Sequence, residues 1–149
     1  MKFSECGLTD EIFSFVSEST GQEFHWNTTK VQEALAAGTI EPVAHMYLDI
    51  TDADYLHISL HNGIEEDHLI NISPERLKIP VIFVEFPPDE HDPDPSHVLI
   101  DGNHRLVKTY REGKRRIGAV IFDVETLKPF LVEDIPAVVS ASMLKALGR

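Results

Sequence analysis

The stretch VLIDGNHRLVKTYREG, residues 98–113, decides how this chain folds. Val98 to Ile100 are three consecutive apolar residues, a short strand that ends at Asp101-Gly102. From Asn103 to Glu112 the apolar residues Leu106, Val107 and Tyr110 recur at helical spacing, and Gly113 stops the run. The stretch therefore reads strand, tight turn, helix. At such a corner the first main-chain N–H groups of the helix lack intrahelical acceptors, and the helix dipole favours a negative ligand. Gly102 permits a positive φ or a close backbone approach. His104 and Arg105 fall in the first turn, where each positive charge opposes the dipole by up to about 1 kcal/mol. A bound anion would offset that cost. Lys108 lies one turn after His104, on the same side of the helix. A second reading stands beside this one. Asp-Gly is a common turn pair, Asp101 can cap the helix, and Arg105 can pair with a carboxylate.

Outward from the corner, IPVIFVEF (Ile79 to Phe86) is nearly all β-branched or aromatic, as a strand covered on both faces would be. Ile117 to Phe122 has the same character. Between them, residues 87–96 (PPDEHDPDPS) read as an exposed loop. Ser73 caps one helical turn to Leu77, with Pro74 in its first position. Toward the N-terminus, Thr9 to Thr20 reads as a helix capped by Thr9, with Ile12, Phe13 and Val16 on one face and Gly21 as its stop. Thr29 to Ala37 reads as a second helix, with Thr29 and Gln32 as a capping box and Gly38 ending it. Pro42 to Ile50 fits either a helix or an extended segment. Tyr55 to Leu60 alternates like a strand and is closed by Asn62-Gly63. Phe24 and Trp26, in EFHW, belong to the core. The tail after Leu127 mixes an extended piece with a helix from about Pro136. The sum is an α+β protein, a small mixed sheet with flanking helices and extra N-terminal helices. It forms one domain over residues 1–149, with a core near 55–125, a helical extension over about 1–50 and a C-terminal helix over about 136–149.

Composition narrows the functions. The chain has 149 residues, 42% hydrophobic and 26% charged, which is ordinary for a globular domain. Its formal charge is −12. A nucleic-acid binder depends on neutralising phosphates, so direct DNA binding is not expected. Lys108, Arg111, Lys114, Arg115 and Arg116 still make a local basic patch. Cys6 is the single cysteine, which excludes an intrachain disulfide and any multi-cysteine zinc site. No apolar run reaches the roughly 18 residues of a membrane span, and MKFSECGLTDEIF has no apolar signal core. A cytoplasmic protein without membrane contact is expected.

From Arg76 to Phe122 the chain resembles the ParB/sulfiredoxin-like family. That family shows a proline-led apolar strand, a variable loop, a strand ending in a DG-x-[HR]-R turn, a helix, a glycine and a final strand. Here the parts read LKIPVIFV, the Pro/Asp loop, VLIDGNHRLVKTY, Gly113 and IGAVIF. Residues 1–50 and the tail are outside the resemblance. It implies a small α/β fold with nucleotide phosphates held at Gly102, Asn103, His104 and Arg105, the nucleotide being ATP, ADP or CTP. Lys108 would add charge. Relatives hydrolyse nucleotides, transfer phosphoryl groups or repair an oxidised peroxiredoxin cysteine. Two departures matter. Sulfiredoxins carry a reactive cysteine directly before the His-Arg pair, where this chain has Asn103. Partition ParB proteins continue into a helix-turn-helix domain, for which the residues after Phe122 are too few.

The resemblance therefore implies a stand-alone nucleotide-phosphate-binding protein, with nucleoside triphosphate hydrolysis or small-molecule phosphotransfer as an extension. Asp101, His104 and Arg105 would be its catalytic residues. Mg²⁺ prefers carboxylate and phosphate oxygens, and Asp101 and Glu85 are its candidate ligands. Asp49, Asp52 and Asp54 are candidate bases, and the sequence does not choose among them. Arg105→Ala should abolish nucleotide binding with little loss of fold. A non-catalytic acidic interaction protein that meets a protein partner is the alternative, and a nuclease ranks third. Of the eight histidines, His57 and His61 share a face if their segment is a strand, and His91 and His97 sit with Asp92 and Asp94 in the acidic loop. No HExxH-type spacing appears, so no structural zinc is expected.

Overall fold

The structure, a computed structural model, describes residues 1–135. It is an α+β protein with a mixed four-stranded sheet, a two-stranded sheet and helices. Two compact units share the chain. The first comprises Met1–Glu41, Glu85–Ser96 and the segment from Asp123 on; the second comprises Pro42–Val84 and His97–Phe122.

The first unit holds an antiparallel hairpin of β1 (Ile12–Val16) and β2 (Glu23–Asn27), in which Phe13 faces Trp26 and Phe15 faces Phe24. The helix expected over Thr9 to Thr20 is thus a strand and a turn. A helix would have placed Val16 beside Ile12 on its buried face, yet Ile12 is buried and Val16 exposed. Phe15 instead packs its ring near Phe24 and Phe86, and Gly21 (φ 71°) serves the hairpin turn. Aromatic and β-branched density outweighed the helical spacing. Trp26 is fully buried and stacks on Phe24 with ring centroids 5.3 Å apart, core residues as expected.

Helix α1 (Thr28–Ala37) follows, close to its expected limits, and Gly38 ends it in the left-handed region. The expected Thr29–Gln32 capping box does not form. Asn27 caps the helix by accepting from Lys30 N–H at 3.0 Å, while Thr29 Oγ1 accepts from Glu11 N–H. The expected N-terminal helical extension therefore contains one α-helix, beside a hairpin. Beyond β6, α6 (Val124–Leu127) is capped by Asp123, and Leu131 and Glu133 form isolated bridges to Trp26 and Lys2. The helix expected from about Pro136 lies outside the described residues.

In the second unit the ambiguous segment after Pro42 is β3 (Ala44–Asp49), antiparallel to β6 (Arg116–Asp123). With β4 (Val81–Phe86) and β5 (Ser96–Asp101) the sheet order is β3-β6-β4-β5. The strand expected over Tyr55 to Leu60 is instead helix α2 (Asp52–His61). Its start is a reciprocal capping box: Thr51 Oγ1 accepts from Asp54 N–H and Asp54 Oδ2 accepts from Thr51 N–H. Two short helices follow, α3 (Glu66–Asn71) and α4 (Pro74–Leu77), the latter capped by Ser73 as expected. Helix α5 (Asn103–Arg111) packs against α2, α3 and α4. Ile58, Leu69, Ile72, Val81, Leu106 and Val107 lie in the core cluster where they meet. Residues 87–95 form the exposed loop. Among the described residues no helix is long and apolar enough to cross a membrane.

Candidate functional site

The corner forms as strand, glycine and helix. β5 ends at Asp101, Gly102 stands at the N-cap position with φ 101°, and α5 begins at Asn103. A side chain at 102 would be strained by that φ. It would also meet Val81: a Cβ built there lies 2.5 Å from Val81 Cγ1. Glycine is required because the backbone crosses hard against β4. Gly102, which has no side chain, holds the N-cap position itself, and Asp101 precedes it as the last residue of β5.

Each polar side chain of the corner has a partner inside the second unit. Asp101 and Arg105 are 6% and 5% exposed. Arg105 Nη2 donates to Asp101 Oδ2 at 3.2 Å and to the Pro80 carbonyl at 3.0 Å, while Nε donates to the Ile79 carbonyl at 3.1 Å. The guanidinium thus ties the first turn of α5 to the residues leading into β4. Asn103 Oδ1 accepts from Asn62 Nδ2 at 2.8 Å. His104 Nε2 accepts from Glu65 N–H at 3.0 Å, which puts the ring proton of the neutral form on Nδ1. The His104 ring stacks on His68, with centroids 4.1 Å apart. Lys108 Nζ donates to the Ile72 carbonyl at 2.9 Å.

The sequence thus named the α5 side of this network and missed the segment from Asn62 to Ile72 that completes it. Asn62-Gly63 is the available signal, but as a turn pair it points only to the end of the preceding segment. The other expected residues are dispersed. Glu85 falls in the first unit and Asp101 in the second. Asp49 is exposed and lies 3.6 Å from Arg116 Nε. Asp52 accepts a hydrogen bond from the Tyr110 hydroxyl, and Asp54 is held in the α2 capping box. Among the described residues no three His, Cys, Asp or Glu side chains are grouped to hold a metal ion.

A second polar cluster lies on the surface of the same unit. Tyr55 and Tyr110 stack at 4.2 Å, and Arg115 covers the Tyr110 ring at 4.0 Å. Arg111 reaches the Tyr55 hydroxyl and both carboxylate oxygens of Glu66. The Arg111 hydrogen bonds hold the Glu66 carboxyl below its usual range, and Glu66 in turn raises the Arg111 guanidinium. The hydrogen bond to Asp52 raises the Tyr110 hydroxyl.

Comparison of the chain with protein-family models, curated proteins and solved structures finds no match.

Proposed function

We propose that the chain binds a nucleoside phosphate at the head of α5, in the manner of the ParB/sulfiredoxin-like family it resembles. The observation that carries this reading is Gly102, at φ 101° in the N-cap position, joining a strand to the N-terminus of a nine-residue helix. Main-chain N–H groups and the helix dipole are the elements that receive phosphate oxygens in such a turn. The reading assigns recognition to Gly102 and Asn103 through the backbone. Arg105 becomes the residue that holds the turn in shape, since its Nε and Nη2 donate to Ile79, Pro80 and Asp101. ATP, ADP or CTP with Mg²⁺ is the ligand class. Hydrolysis or phosphotransfer extends the proposal and needs a metal ligand and a base, for which Asp101, Asp49, Asp52 and Asp54 are the carboxylates of the same unit to examine.

One observation favours the second reading, a non-catalytic acidic protein that meets a protein partner. His104, Arg105 and Lys108 each engage main-chain groups of their own unit. Asn103→Asp separates the two readings. An aspartate keeps the acceptor for Asn62 and complements the helix dipole, so the fold is retained. Its charge repels a phosphate. Thermal unfolding with ATP, ADP or CTP and Mg²⁺ should show a nucleotide-dependent rise, worth about 2.7 kcal/mol at a hundredfold excess over Kd, that Asn103→Asp removes. Absence of any rise with the parent chain rejects nucleotide binding and leaves the interaction reading. A rise that survives Asn103→Asp places the ligand elsewhere.

A further inference from the structure

Helix α2 ends in HISLH, so His57 and His61 stand one turn apart on one face. Their ring centroids are 5.0 Å apart with the planes inclined at 48°, and both residues are exposed. We propose that this pair chelates a divalent transition-metal ion of the Zn²⁺, Ni²⁺ or Cu²⁺ class, each imidazole giving one nitrogen and water filling the remaining positions. Imidazole suits these ions, whereas Mg²⁺ and Ca²⁺ prefer oxygen. His61 lies in the last turn of the helix, where the dipole favours a cation.

The same spacing occurs in HExxH metal helices, where the second residue is the catalytic glutamate. Here that residue is Ile58, buried in the core, so the pair binds metal without a neighbouring general base. Asp54, one turn before His57, is committed to the Thr51 N–H. No third His, Cys, Asp or Glu joins the pair among the described residues, so the site is a two-ligand surface chelate rather than a structural zinc centre. Metal binding has a route to the corner. Asn62 follows His61, donates its N–H to the Ile58 carbonyl at 3.0 Å and its side-chain amide to Asn103. An ion that clamps the last turn of α2 also steadies this link.

The test is calorimetric titration of the full, untagged chain with NiCl₂ at pH 7.5, beside the His57→Gln and His61→Gln variants, each checked for unchanged far-UV dichroism. One ion should bind per chain, and each variant should weaken binding at least tenfold, because a chelate needs both rings. Slower amide exchange at residues 58–62 in the presence of Ni²⁺ is expected in the parent and absent in the variants. No binding by the parent, or an unchanged midpoint in either variant, overturns the proposal.

Discussion

Arg105 illustrates how one residue can carry two incompatible expectations. As a phosphate arm it would be dispensable to the fold, and alanine would be a clean probe. The structure buries it against Asp101 and uses it to bridge α5 to Ile79 and Pro80. Removing the guanidinium takes away three hydrogen bonds and the positive charge beside a buried carboxylate, and breaking such a pair costs about 3 to 5 kcal/mol. Arg105→Ala should therefore lower stability by that order in urea unfolding. A loss under about 1 kcal/mol would show that the pair adds little to the fold. Gly102 is the second sensitive position. An alanine there combines a left-handed φ, costing about 1 to 2 kcal/mol, with overlap onto Val81. Gly102→Ala should thus be less harmful in a Val81→Ala background than alone. Equal losses in the two backgrounds would locate the whole cost in the backbone angle.

At the scale of elements, helix ends and hairpins respond to single polar groups. Thr51→Ala removes the acceptor for Asp54 N–H and should cost about 1 kcal/mol of chemical stability, because the cap starts α2. In the first unit, Asp10 Oδ2 accepts from Asn27 Nδ2 and Gly7 N–H, while Asn27 also caps α1. Burial alone would raise the Asp10 carboxyl, but the Asn27 and Gly7 hydrogen bonds and the Lys30 charge hold it below its usual value. A depressed folded value means the stabilisation is complete above the ordinary aspartate value of about 3.9, and disappears as pH falls through the folded one. Asp10→Asn should therefore flatten the loss of stability below about pH 4. An acid limb as steep as the parent's would assign the effect to other carboxylates.

These cases also explain what was readable beforehand. β4, the Pro/Asp loop, β5, α5 and β6 were legible because composition, spacing and punctuation agree over residues 79–123. Tyr55 to Leu60 is ambiguous by itself because six residues fit both a two-residue and a helical period, and the decisive signal, the Thr51–Asp54 box, lies just upstream. Ile12 to Val16 failed the opposite way. Its apolar spacing fits a helix, but pairing with β2 and packing beside Phe86 are long-range facts. At the corner, residue types marked the location correctly. Partners drawn from 62–72, more than thirty residues away along the chain, could not be read from local pattern.

For the whole molecule, charge is the dominant constraint. A formal −12 repels polyanions at a distance, and the basic patch that would offset it is largely engaged within the protein. Lys108 is bound to the Ile72 carbonyl, Arg111 to Glu66 and Arg116 to Asp49. Arg115 lies over Tyr110 and donates to main-chain carbonyls. Releasing these groups to phosphates would forfeit their present contacts, so counterion release from DNA has little to drive it. Filter binding to duplex or single-stranded DNA should consequently detect no complex at 50 mM salt, where a phosphate-contacting protein binds far more tightly than at physiological salt. A complex that weakens steeply with added salt would reverse the conclusion, because it would require cations of this patch to leave their internal partners. Loss of that complex in Lys114→Gln and Arg115→Gln would then identify the contact surface.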